Sequence, residues 1–290
     1  VITGIFQLAL LAAGGWFGRA VALKAMAARP FPRPSLEAIG LGALTNFFDT
    51  LGIGSFATST AYIRMRRLTA DVNIPAVLNL GHALPSIAQA FIFIGIVKID
   101  ATLLLSCMAM AVIGAVVAAP VVAKLPVRVI QLAVGVALLA AALALLMTIM
   151  GLFPAGGTAV TLDGWRFSVA VAAHFVLGGL MTMGIGLYAP SLILLSLLGL
   201  DPLVAFPVMM GSCAFLMTVG GTQFLRTDRI DLPLIIGIGI GGVPAALAAA
   251  LLVKSLPLGV LRWLVVAVVL YAAISLIHAA CRRPGLPQSA

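Results

Sequence analysis

The sequence predicts an all-α membrane protein with two inverted repeats. Each repeat is a re-entrant broken-helix hairpin followed by three transmembrane helices, and one extra transmembrane helix precedes them. Three observations carry this: composition, a pair of glycine motifs at a sustained offset, and the placement of the basic residues. Of the 290 residues, 63% are hydrophobic and 9% charged, against roughly 45–50% apolar and about 25% charged in soluble domains. So few polar groups cannot cover a water-soluble fold. The apolar segments run about 20 residues without strict alternation, which fits helices rather than barrel strands.

In chain order these segments fall at about 2–18, 38–61, 74–97, 101–123, 129–150, 167–198, 204–225, 232–253 and 259–280. The first lacks a preceding basic region and a small-residue cleavage site, so it reads as a span rather than a signal peptide. Residues 1–35 form that helix and a basic linker from Arg19 to Arg33, through Pro30, Pro32 and Pro34, expected near lipid headgroups. Residues 36–150 form repeat one and 151–166 a Gly-rich connecting loop. Repeat two is 167–281, with a tail at 282–290.

The repeats are defined by Thr50-Leu51-Gly52-Ile53-Gly54 and Thr182-Met183-Gly184-Ile185-Gly186, 132 positions apart. Pro75 answers to Pro207 at that offset. Lys98-Ile99-Asp100 answers to Arg229-Ile230-Asp231, and Leu125-Pro126 to Leu256-Pro257, both at 131. Glycine pairs interrupting apolar segments at matching positions of two halves are a sequence pointer to a membrane carrier's binding site.

Charge placement chooses between nine spans and seven spans with two hairpins. With hairpins, and the amino terminus outside, the cytoplasmic side receives 13 Lys and Arg residues and the outside 4 (Lys98, Arg166, Lys254 and Arg262). Nine spans give about 10 against 7. The positive-inside bias favours hairpins, with the carboxyl terminus cytoplasmic. An odd number of crossings per repeat then inverts one repeat relative to the other. The +9 net charge is absorbed by this topology, so no nucleic-acid partner is expected.

Asp49 is the one carboxylate expected deep inside a membrane element, where such groups face a cavity or a partner. Gly52 and Gly54 let backbone approach a ligand, and Ser55 is a candidate cap for the half-helix that follows. The start of that half-helix offers free N–H groups suited to a small anion. Repeat two keeps Gly184 and Gly186, followed by Tyr188, but has Met181 where repeat one has Asp49. Asn79, His82, Ser86 and Gln89 share one helix face; the matching face of repeat two has Ser212, Cys213 and Gln223. The candidate binding residues are therefore Asp49, Gly52, Gly54, Ser55, Asn79, His82, Gln89, Gly184, Gly186, Tyr188 and Ser212. Close helix packing by glycines and helix–helix hydrogen bonding are the structural alternatives. His82 is a candidate proton relay, and His174 a weaker one.

Enzyme chemistry is not expected, because paired carboxylates on one face, zinc-binding HExxH, nucleophile elbow and P-loop are all missing. The three cysteines, Cys107, Cys213 and Cys281, show no metal or redox spacing, and no cofactor or metal is expected.

Phe47-Phe48-Asp49-Thr50-Leu51-Gly52-Ile53-Gly54, then Pro75 to Leu84, resembles the first half of TauE/SafE-type permeases. Gly184-Ile185-Gly186, Pro190, Asp201-Pro202 and Ala205 to Ser212 resemble the second half, the likeness covering residues 36 to 280. It implies an inner-membrane secondary transporter, often an exporter, for sulfite, organosulfonates or related small organic anions, coupled to an ion or proton. Only two of that family's usual glycines stand in the first motif, and Asn79-Leu80-Gly81-His82 replaces its usual polar segment. The alternatives are an anion channel or an importer of another small organic anion; the expected partners are the anion, the bilayer, a coupling ion and a further copy of the chain.

Overall fold

The computed structural model describes residues 2–52, 54–70, 73–117, 157–182, 184–226 and 230–255, with single positions in 128–150 and 263–281. The spans expected at 129–150 and 259–280 therefore lie largely outside the described residues. So do the Leu125-Pro126 and Leu256-Pro257 pair and the 282–290 tail. All regular structure among the described residues is helical: α1 (Ile2–Ala27), α2 (Leu36–Thr50), α3 (Ser55–Arg66), α4 (Ile74–Gly81), α5 (Ala83–Ile96), α6 (Ala101–Val117), α7 (Gly164–Met181), α8 (Tyr188–Leu197), α9 (Pro202–Leu225) and α10 (Leu232–Ser255). Five units are long and apolar enough to cross a membrane: α1, the α4–α5 pair, α7, α9 and α10. Leu8, Leu11, Leu105 and Leu251 are among the large apolar side chains left exposed, a surface that only lipid covers without penalty. The protein is an integral membrane protein.

Local chemistry sets the ends. Ser35 caps α2 by accepting the Ala38 N–H at 3.1 Å, and Arg67, in the left-handed region at φ 53°, ends α3. Asp100 accepts the Leu103 N–H at 2.8 Å to start α6, and Asp231 accepts the Leu234 N–H at 3.1 Å to start α10. These two caps fall on residues paired by the 131 offset. Pro85 has no N–H for the Gly81 carbonyl one turn back, and the helix breaks between α4 and α5 at His82, as proline in a helix requires. α1 continues past residue 18 to Ala27, so Arg19 and Lys24 ride on the helix and the basic linker is shorter than the sequence suggested.

The apolar stretches at 38–61 and 167–198 are each split by their glycines. At the first break the Gly52 N–H returns to the Asp49 carbonyl at 2.9 Å, and at the second the Gly184 N–H returns to the Met181 carbonyl at 3.0 Å. Gly52 and Gly184 hold φ of 94° and 89°, a region that residues with a Cβ avoid. The two turns are therefore the same turn. After the first, α3 doubles back along α2, and Arg66 Nε and Tyr62 Oη donate to Glu37 Oε1 at 2.7 and 3.0 Å. With 15 residues, α2 is about 22 Å long, short of a hydrocarbon core of about 30 Å.

Packing follows the offset as well. α2 lies on α10, and α7 lies on α6; adding the repeat offset turns α2 into α7 and α6 into α10. At the matched crossings a Cβ on Gly178 would come within 2.0 Å of the Ala111 carbonyl oxygen, and one on Gly242 within 2.4 Å of Asn46 Nδ2. The small residue has changed sides while the close approach is kept. α4, α5 and α9 form the centre, with Phe93 and Phe206 stacked at 5.2 Å between ring centroids, and α1 packs against α5 and α9 from outside.

Candidate functional site

The two breaks meet. A Cβ on Gly54 would lie 3.8 Å from Tyr188 Cβ, and one on Gly186 would lie 3.3 Å from Phe56 Cβ. Positions 54 and 186, like 56 and 188, are offset partners, so each tip touches the residue two places beyond the other tip's last glycine.

Beside this meeting point lies a buried polar network, mostly from repeat one. Asp49 Oδ1 accepts the Ser55 backbone N–H at 2.6 Å and its Oδ2 accepts Gln89 Nε2 at 3.1 Å. Gln89 Nε2 also donates to Thr50 Oγ1 at 2.9 Å, and Tyr188 Oη, from the other repeat, donates to Gln89 Oε1. Asp49, Gln89 and Thr50 are fully buried and Tyr188 nearly so. A buried carboxylate is costly unless its oxygens are occupied. Here both are occupied by N–H donors, one at a helix N-terminus, where negative charge is favoured. None of the described groups in contact with Asp49 is a cation.

Ser55 thus takes part through its backbone. The residue before α3 is Gly54, which provides no side-chain cap, and Asp49 fills that role from the preceding helix. At the second break α8 starts after Leu187 with no side-chain cap, and Met181 sits where the carboxylate would be. Met181 Sδ instead faces Cys213 Sγ at 3.6 Å.

His82 ties the network to α3. Asn46 Nδ2 donates to the Gly42 carbonyl at 2.8 Å, so Asn46 Oδ1 faces His82 Nδ1 at 2.9 Å. That contact puts the proton on Nδ1, and Nε2 accepts from Ser59 Oγ at 3.0 Å. His174 repeats the arrangement: Nδ1 donates to the Ala170 carbonyl at 2.8 Å and Nε2 accepts from Ser191 Oγ at 3.0 Å. Ser59 and Ser191 are offset partners, whereas the two histidines come from non-equivalent helices, the α4–α5 junction and α7. Each imidazole has both of its ring nitrogens engaged.

The candidate residues therefore divide. Asp49, Ser55, His82, Gln89 and Tyr188 are joined in one network, with Gly52, Gly54, Gly184 and Gly186 at the tips beside it. Asn79 faces the base of the second break, its Nδ2 bonding the Pro75 carbonyl at 2.8 Å and the Met181 carbonyl at 3.5 Å. Ser212 is buried, and its hydroxyl, like that of Ser86, has no hydrogen-bond partner among the described residues. Asn46, Thr50, Ser59 and Ser191 lie outside the candidate set that the sequence offers, and His174 is its weaker relay candidate. Asn46, Asp49 and Thr50 stand at i, i+3 and i+4 on α2, a polar stripe that could have pointed to the first two. Ser59 and Ser191 were findable as a matched pair at the repeat offset.

Among the described residues, His, Cys, Asp and Glu nowhere cluster in threes suited to a metal ion. Compared with known proteins, the chain matches no family, no curated protein and no solved structure.

Proposed function

We propose that this protein is a secondary transporter, not an enzyme, carrying a small anion across a bacterial inner membrane by alternating access around its two glycine breaks. Sulfite or an organosulfonate is the first candidate, and export the first candidate direction, on the TauE/SafE resemblance. The observation that carries the proposal is the meeting of the breaks, Gly54 at Tyr188 and Gly186 at Phe56, against a buried network built on Asp49. Broken helices whose half-helix ends converge inside the protein are how many carriers hold charged substrates.

Two features support the inverted, re-entrant reading. The Glu37–Arg66 contact brings both ends of the first hairpin to one side. The exchange of packing partners, α2 on α10 and α7 on α6, is what two copies related by a pseudo-two-fold axis produce, and the charge distribution favours the inverted arrangement. The amino terminus outside and carboxyl terminus in the cytoplasm follow from the charge distribution.

The anion's seat is the start of α8. At α3 the N–H of Ser55 is already taken by Asp49, while α8 has no such internal anion. Full burial of Asp49, Gln89 and His82 favours a carrier, which opens to one side at a time, over a channel. The test is anion flux into proteoliposomes for wild type, Gly52→Leu and Gly184→Leu. Both substitutions should abolish flux, because each φ excludes leucine; unchanged flux in both overturns the assignment. Flux far above carrier rates with no coupling ion would favour the channel.

A further inference from the structure

A cavity of about 630 Å³ runs along the flank of the molecule, between α1, the α4–α5 junction and α10. Its walls include Phe17, Gly18, Val21, Leu84, Ile236 and Val243, and no charged side chain lines it. At one end it adjoins a second cavity of about 520 Å³, and Phe31 lines both. The second is of different character: Lys24 and Arg33 line it, together with Asp231. Asp231 already accepts the Leu234 N–H as the cap of α10. Neither Lys24 nor Arg33 forms an ion pair among the described residues. An apolar trough thus ends at a pocket with two cations and one carboxylate, a net positive charge, where α1 gives way to the proline-rich linker.

We infer that this flank holds one acidic phospholipid, with an acyl chain in the trough and the phosphate between Lys24 and Arg33. Basic pockets between membrane helices hold acidic headgroups, because anionic lipid is drawn to Lys and Arg at the bilayer surface. The apolar half excludes a free phosphate ion as the natural occupant, since an ion has no use for an apolar trough. A second copy of the chain is disfavoured by charge, because it would bring another +9 toward an already cationic end. The site is independent of what the glycine breaks carry. It ties α1, which among the described helices has its stronger contacts with α5 and α9, to α10.

The test uses the full chain in detergent, with phosphatidylglycerol, phosphatidylcholine of the same chains, or inorganic phosphate added. Native mass spectrometry reads retention and thermal unfolding reads stabilisation, since a ligand of the native state raises its apparent stability. One phosphatidylglycerol per chain should be retained at least about tenfold more strongly than phosphatidylcholine, and phosphate alone should give no shift. The double variant Lys24→Glu/Arg33→Glu should lose that preference while keeping the lipid-free melting temperature. Gly18→Leu, whose Cβ meets nothing within 4 Å, should fill the trough and weaken both lipids. Equal retention of the two lipids overturns the inference, as does a preference that survives the double variant. An equal shift with phosphate alone, or a dimer that phosphatidylglycerol does not displace, also overturns it.

Discussion

At the first glycine break, the Asp49 carboxylate takes the Ser55 N–H, and Gln89 holds its other oxygen. At the second, the same backbone turn leads into α8 with Met181 in the carboxylate's place and no side-chain cap. The turn is shared, the Ser–His brace is shared (Ser59 with His82, Ser191 with His174), and the polar content is not. Asn46, Asp49 and Gln89 have Gly178, Met181 and Gly220 at the matching offsets. The two breaks agree where backbone geometry demands it and differ where side chains supply chemistry. A helix N-terminus with its own carboxylate and one without differ in charge: the first is internally neutralised, and the second is not.

That contrast can be broken most severely at the matched helix crossings. Gly178→Ala drives a methyl group into the Ala111 carbonyl, and backbone of a packed helix cannot step aside. It should cost at least about 3 kcal/mol, the upper end for overpacking. Gly242→Ala meets side chains instead, the Asn46 amide and the Pro85 ring at 2.6 Å, and should cost about 2 kcal/mol while loosening the Asn46–His82 contact. Thermal unfolding in detergent reads both, and equal losses would mean that the crossings are not built as described.

The next test separates the two breaks chemically. Asp49→Asn turns an acceptor into an N–H donor facing the N–H of Gln89, whose oxygen is already used by Tyr188. Destabilisation of about 1–3 kcal/mol follows from one buried group left unsatisfied, with loss of flux in proteoliposomes. Met181→Leu conserves volume and should cost less than about 1.5 kcal/mol with flux retained. Full flux in Asp49→Asn would remove Asp49 from the working site.

The smallest and sharpest difference is between the histidines. His174→Ala leaves the Ser191 hydroxyl without its acceptor, whereas His82→Ala strands both Ser59 and Asn46 Oδ1. His82→Ala should therefore be worse by about 1 kcal/mol, one net hydrogen bond, and only it should reduce flux. Identical melting temperatures and identical flux would show that both are interchangeable braces.

At the outer end of the first hairpin, the Arg66 N–H and then the Tyr62 hydroxyl hold the Glu37 carboxyl below its ordinary value. The pair is largely exposed to solvent, so it fixes the hairpin's closure more than its stability.

Much of this was legible in the residues. Composition required a bilayer, because so few polar groups cannot face water. The GxG pairs marked both breaks, because a positive φ is the one thing glycine does that other residues resist. Asp100 and Asp231, paired by the 131 offset, proved to cap two helix starts, since a cap is local. What the residues could not reveal depended on contacts between segments distant in the chain. Asn46 lies 36 positions from its partner His82, and Tyr188 lies 99 from Gln89. No periodicity encodes such distances. Ser55 looked like the cap of its own helix because local rules favour serine there, and only the return of the chain placed Asp49 at that N–H first. The sequence alone determined that this is a membrane protein broken at two glycine motifs 132 positions apart, because solvation and backbone sterics act residue by residue. Only the tertiary structure decided that the breaks touch and that Gln89 and Tyr188 close the network around Asp49, because packing between distant helices sets which donor meets which acceptor.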